Sequence, residues 1–148
     1  MHSSPPSLLR HAAASVLLCL GASALAQTAP CVDATEASHE TLLGHWEAQF
    51  RAPDDSPSGT AHLELIPHPE LAASVRGRLQ RAGVEALLAG DVDQGDFTLE
   101  ESINGTNISA TWIGQVVPDS CGKEIRGTWT QENPPLSLSF VLRKQAGQ

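Results

Sequence analysis

Basic residues are scarce in this chain. Nine Lys and Arg residues stand against 17 Asp and Glu residues, and the formal net charge at pH 7 is −8. No basic cluster is present, so electrostatic repulsion disfavours binding to nucleic acid or to an anionic membrane surface. No apolar run reaches the roughly 20 residues that a transmembrane helix needs. We therefore expect a protein that binds no nucleic acid and has no stable membrane insertion.

Catalytic and metal-binding motifs are equally scarce. The G-x-S-x-G pattern is absent, and His45 falls six residues after His39, which does not fit H-E-x-x-H. The acidic run at residues 91–96 lacks the glycine and glutamate spacing of an EF-hand calcium loop. We expect no enzyme, no metal site and no cofactor. A Ser–His–Asp arrangement built from distant residues stays open.

The first 26 residues have the features of a signal peptide. Arg10 precedes an apolar run at residues 12–20, and Ala24-Leu25-Ala26 matches the A-x-A pattern that signal peptidases cleave. The sequence therefore predicts a secreted or periplasmic protein that begins near Gln27, with Cys19 removed. An N-terminal segment at 27–43 precedes a β domain at 44–148. The mature chain keeps eight basic residues against 17 acidic ones, a net charge of −9.

Two cysteines remain after this cleavage. Cys31 and Cys121 form an even pair in a chain that is expected to reach an oxidising compartment. We predict that they form a disulfide. The alternative is two unpaired, buried thiols.

From Gly44 onwards, apolar residues recur with the period of two that is typical of strands. Prolines, glycines and Asn-Gly separate eight such runs, and Asp33 or Thr35 could cap a short helix towards Leu42. We predict an all-β fold, an eight-stranded antiparallel up-and-down barrel with a short N-terminal helix. A β-sandwich is the alternative. The predicted strands cover residues 44–50, 60–66, 74–81, 84–90, 96–101, 108–116, 124–129 and 136–142.

Three short motifs resemble those of calycin barrels. Gly44-His45-Trp46 resembles the G-x-W that opens lipocalin-type barrels. Residues 110–115, followed by Gly127-Thr128-Trp129, are similar to the late strands of the avidin family. The resemblance implies a barrel that could hold a ligand. It does not imply biotin, because Ala48 stands where an avidin-like barrel has a polar ligand-binding side chain.

Our first functional hypothesis is a non-enzymatic barrel that binds a small apolar or amphipathic ligand inside. The predicted phases place aromatic rings on the inner face, and the loop at 53–59 could be a lid. The alternative is that these rings only fill the barrel. The predicted ligand-binding residues are Trp46, Trp112, Trp129, Phe97 and Phe140.

The rival hypothesis is an interaction module, such as an inhibitor of an extracellular hydrolase. It would contact a basic secreted protein, such as a lysozyme or a protease, through exposed loops at 53–59, 91–95 and 118–120. An internal cavity beside the tryptophans would favour the ligand. A filled barrel would favour the protein partner.

Overall fold

The computed structural model describes residues 30–147, together with residues 1 and 2. Eight strands form a closed antiparallel barrel in which each strand pairs with its neighbours in sequence and β8 pairs with β1. The predicted all-β up-and-down barrel is confirmed. The strands are β1 (Gly44–Arg51), β2 (Pro57–Pro67), β3 (Val75–Arg81), β4 (Val84–Asp93), β5 (Asp96–Ser102), β6 (Ala110–Val116), β7 (Glu124–Gln131) and β8 (Leu136–Lys144).

The N-terminal segment lies across one end of this barrel. The predicted helix is two short pieces: a 3₁₀ turn over Ala34–Glu36, capped by the Asp33 carboxylate, and the helix α1 over His39–Leu42. The side chain of Leu42 is fully buried. Cys31 and Cys121 form the predicted disulfide, which ties this segment to the β6–β7 connection. We call this end of the barrel the disulfide end.

Alternating side chains of all eight strands fill the barrel with a single apolar core. Where large rings point inward, glycines on neighbouring strands let the backbones approach. A Cβ on Gly127 would collide with the carbonyl oxygen of Ile113, and a Cβ on Gly114 with that of Arg126. Gly114 and Gly127 face each other in the β6–β7 ladder, and the ring of Phe140 packs beside Gly114. Small and large residues are thus matched across the interior.

The structure corrects several predicted boundaries. Ile108 was expected inside the sixth strand, but it is exposed in the β5–β6 loop. Leu136 was expected to point inward, but it is 45% exposed because it opens β8 beyond the packed core. The loop expected at 53–59 is shorter, since Pro57 already pairs with Arg51, and the turn expected at 91–95 shrinks because β4 continues to Asp93.

The predicted signal peptide and Cys19 lie outside the described residues. Within residues 30–147, no helix is long and apolar enough to cross a membrane. The disulfide is compatible with an oxidising compartment. Secretion itself stays a prediction.

Candidate functional site

The aromatic side chains predicted to bind a ligand are buried inside the barrel, and four of the five lie together. The rings of Trp112 and Phe140 have centroids 5.0 Å apart, and those of Phe97 and Phe140 are 6.3 Å apart. Phe50 joins Trp129 to this group, with centroid distances of 5.2 Å to Trp112 and 5.9 Å to Trp129. These distances are those of packed, tilted ring pairs. The rings therefore occupy the interior at this level of the barrel.

Trp46, the fifth predicted residue, lies apart from this group. Its indole N–H donates to the carbonyl oxygen of Leu42 at 2.8 Å, at the disulfide end. The ammonium group of Lys144 lies 5.4 Å from the centroid of the Trp46 ring and donates to the carbonyl oxygen of Thr41 at 2.7 Å. Partial burial lowers the pKa of Lys144, and repulsion from Lys123 adds to this effect. Trp46 therefore anchors the N-terminal segment.

A polar cluster occupies the opposite end of the barrel. The carboxylate of Glu101 is completely buried, and one of its oxygens accepts hydrogen bonds from the indole N–H groups of Trp112 (3.2 Å) and Trp129 (3.0 Å). The Arg81 guanidinium donates to the other oxygen at 3.1 Å and to the first oxygen at 3.5 Å. The same guanidinium lies 4.6 Å from the centroid of the Trp129 ring. We call this the Arg81 end of the barrel.

Sequence reasoning missed Glu101 and Arg81 as inward residues, although the period of two contained the signal. Leu79 and Arg81 share one face of β3, as Leu99 and Glu101 share one face of β5. A strand-terminal charge is normally assigned to solvent, because a single charge is costly to bury. The opposite charges lie 20 residues apart in sequence, and only the closed barrel brings them together.

The outer surface over β2–β5 carries an aliphatic patch. Five of the eight exposed large hydrophobic side chains within the described residues border three adjoining depressions there. The central depression has a volume of about 460 Å³, and Arg78 and Leu87 also line the next one, of about 240 Å³. Single exposed aliphatic residues are ordinary on protein surfaces, whereas several that border adjoining depressions indicate a contact surface. We define the aliphatic patch as Ile66, Leu71, Leu87, Ile103 and Ile108.

Charged side chains lie within and around the aliphatic patch, and Arg76, Arg78 and Glu100 line its central depression. Arg76 and Arg78 lie on the outer face of β3, among a larger number of outward carboxylates on β2, β4 and β5. Neither these two arginines nor these carboxylates form an ion pair within 4.0 Å with any other described residue. Arg51, Arg81, Arg126 and Arg143 each form one. The carboxylates around the patch are Glu64, Glu85, Asp91 and Glu100.

The four histidines of the β domain and its N-terminal segment do not converge. Across residues 30–147, no group of three or more His, Cys, Asp or Glu side chains is placed to hold a metal ion. His68 has a local role instead, because its Nδ1 accepts hydrogen bonds from the backbone N–H groups of Glu70 and Leu71. It shapes the β2–β3 connection beside the aliphatic patch.

Comparison with known proteins adds little to this geometry. No protein-family model matches the chain. No curated protein matches it either. Among solved structures, the chain is similar to a redesigned β-barrel, with a TM-score of 0.47 and 16% sequence identity over 74% of this chain and 96% of that one. The eight-stranded barrel implied by the calycin resemblance is present, whereas membership of the calycins stays a prediction.

Proposed function

We propose that this protein is an exported, non-enzymatic interaction module that binds a basic protein through the aliphatic patch. The observation that carries this proposal is the concentration of exposed aliphatic side chains on one face of the barrel. A partner that covers Leu87 and its neighbours removes apolar surface from water, which supplies the main favourable term in association.

Packing inside the barrel supports an external site over an internal one. The rings of Phe50, Trp112 and Phe140 are in contact, and the N–H groups of all three tryptophans already have acceptors. A ligand among these rings would have to displace packed side chains, at the cost of core contacts. The outer patch requires no such displacement.

Charge supports a basic partner. The predicted mature chain has a net charge of −9, which steers basic proteins towards it at low ionic strength. Four outward carboxylates lie on the strands of this face, against the two guanidinium groups of Arg76 and Arg78 in the central depression. A partner with lysines or arginines at the rim of an aliphatic contact would pair with these carboxylates. Exported hydrolases such as lysozymes are basic proteins of this kind, and blocking one would be the consequence of binding.

A binding assay on the mature protein with a panel of basic exported proteins, lysozyme among them, tests this proposal. We expect saturable binding that weakens as salt is raised. Leu87→Ser should weaken it at least tenfold, about 1.4 kcal/mol. Ile113→Ser is the matched control, because Ile113 is 56% exposed, against 51% for Leu87, but lies on β6, outside the patch. It should leave binding unchanged.

Three results would contradict the proposal. The first is the absence of saturable binding across the panel, and the second is equal weakening by both serine variants. The third comes from sedimentation of the mature protein alone: self-association abolished by Leu87→Ser would assign the patch to a second copy of this chain. If a bound partner is a hydrolase, its turnover in the presence of the mature protein reports inhibition directly.

A further inference from the structure

The Arg81 end has the composition of a binding site for an organic cation. A buried carboxylate faces the guanidinium from one side, at 3.1 Å, and the indole ring of Trp129 covers it from another, at 4.6 Å. A carboxylate together with an aromatic face is the combination by which proteins recognise guanidinium and ammonium groups. Here the cation comes from the chain itself.

The acceptor side of this site is fixed. Glu101 is held by two indole N–H groups, and both tryptophans are packed in the core with at most 3% exposure. Two of the donors that orient this carboxylate therefore belong to the barrel core and not to Arg81.

Arg81 is the side chain in this cluster that has access to water. It ends β3 directly before the exposed Ala82-Gly83 turn, and 19% of its side chain is exposed, against none of Glu101. It also borders an open depression of about 710 Å³ on the outer side of the β3–β4 hairpin. A rotation of the arginine side chain could take its guanidinium into solvent without moving a strand.

We propose that the Arg81 end is a binding site for an organic cation with a guanidinium or alkylammonium head, and that Arg81 occupies this site in the free protein. A ligand head of this kind replaces the Arg81 guanidinium between Glu101 and Trp129. This site is inside the barrel mouth, whereas the side chains of the aliphatic patch are exposed on the outer surface.

The buried charge makes the site selective. If Arg81 leaves and no cation replaces it, the Glu101 carboxylate remains buried with only two neutral donors, which is strongly unfavourable. A neutral or anionic molecule in place of the arginine would leave this charge unpaired. A cationic head restores the ion pair and the contact with the indole face at the same time.

Removal of the internal occupant gives the sharpest test. The probe is n-propylguanidinium, which has the atoms of the arginine side chain from Cβ outwards, and the readout is tryptophan fluorescence of the mature protein. A site that is open in less than a tenth of the molecules binds at least tenfold more weakly than one that is always open. We therefore expect Arg81→Ala to bind the probe at least about tenfold more tightly than the unsubstituted protein.

Three matched measurements accompany this one. Glu101→Gln combined with Arg81→Ala should abolish probe binding, because the carboxylate is the recognition group. Butyrate should not bind to any variant, since it is an anion. Arg126→Ala, which removes a surface ion pair with Glu124, should bind the probe as the unsubstituted protein does.

The proposal is overturned if a folded Arg81→Ala protein, verified by its near-ultraviolet circular dichroism, binds propylguanidinium no more tightly than the unsubstituted protein. If this variant does not fold, Arg81→Lys is used instead. Its ammonium lacks the planar two-donor geometry of a guanidinium, so the probe should bind to this variant more tightly than to the unsubstituted protein. Equal binding refutes the proposal. Loss of probe binding in Leu87→Ser would place the site at the aliphatic patch and would also refute it.

Discussion

The two ends of the barrel use the same side-chain chemistry with different acceptors. At each end a cation lies over an indole ring, Lys144 over Trp46 and Arg81 over Trp129. At the disulfide end the acceptors are neutral backbone carbonyls of the N-terminal segment. At the Arg81 end the acceptor is the carboxylate of Glu101. One end is thus closed by a piece of chain and the other by an ion pair.

This difference determines what each contact costs when it is broken. The backbone carbonyl that loses Lys144 is neutral and only partly buried, so its loss leaves no unpaired charge. A buried carboxylate that loses its cation keeps its full desolvation penalty. The closure of the disulfide end therefore depends mainly on holding the N-terminal segment in place, whereas the closure of the Arg81 end depends on two side chains.

The largest effect should come from releasing the N-terminal segment. The Cys31–Cys121 disulfide closes a loop of 90 residues, for which the loss of unfolded-chain entropy corresponds to about 4–5 kcal/mol. Cys31→Ser with Cys121→Ser should lower the free energy of unfolding by about that amount in urea titrations of the mature protein. The far-ultraviolet circular dichroism should keep its β signal, because the barrel ladder does not include either cysteine.

Reduction of the unsubstituted protein is the control for this variant, and both should unfold at the same urea concentration. A loss below about 1 kcal/mol would mean that the segment is held by Leu42 and Trp46 alone. The two ends would then differ only in their non-covalent contacts.

The second effect compares the two cations directly. Arg81→Met and Lys144→Met each remove a cation from an indole ring and keep an unbranched apolar side chain. We expect a loss of about 3 kcal/mol for Arg81→Met, because it leaves a buried charge. We expect about 1 kcal/mol for Lys144→Met, because it removes one hydrogen bond and one cation–π contact.

Arg126→Met provides the baseline, at about 0.5 kcal/mol or less, since its ion pair with Glu124 is at the surface and its own side chain is 61% exposed. Thermal unfolding of the three variants under identical conditions gives the order. Equal losses for Arg81→Met and Lys144→Met would show that the identity of the acceptor has no influence.

The barrel and its covalent link could be predicted from the sequence because their signals are local. The period of two, the turn residues and an even pair of cysteines each specify structure over short stretches. The predicted ends of the strands were less accurate. Ile108 continues the inward–outward alternation of the sixth strand, but it precedes the first residue pair of β6, which is at Ala110. Periodicity continues past the point where pairing stops, so it does not fix where a strand begins.

The candidate sites depended on information that the sequence does not contain. The inward placement of Trp112, Trp129 and Phe140 was predicted, but not that Phe50 would close the space between them. The Arg81–Glu101 pair arises from the register between strands that are not adjacent in the ladder. The aliphatic patch combines β-strand and loop residues, and it becomes visible only when the outer face is assembled.

The smallest effect is a pH dependence that should distinguish the two cations. Partial burial holds the pKa of Lys144 below its ordinary value of 10.5, with repulsion from Lys123 as the lesser cause. In the pH window between the lowered pKa and 10.5, the unfolded chain binds more protons than the folded chain. The contribution of Lys144 to stability therefore rises as the pH rises through this window.

Urea titrations across this alkaline window measure the effect as a difference between proteins. The stability of the unsubstituted protein relative to Lys144→Met should increase with pH, on the order of a few tenths of a kcal/mol because solvent screens the ammonium. The stability difference between the unsubstituted protein and Arg81→Met should not change with pH, because a guanidinium keeps its proton throughout this range. If the stability difference between the unsubstituted protein and Lys144→Met is also independent of pH, the Lys144 ammonium is as well solvated in the folded protein as in the unfolded chain. The disulfide end would then not enclose it.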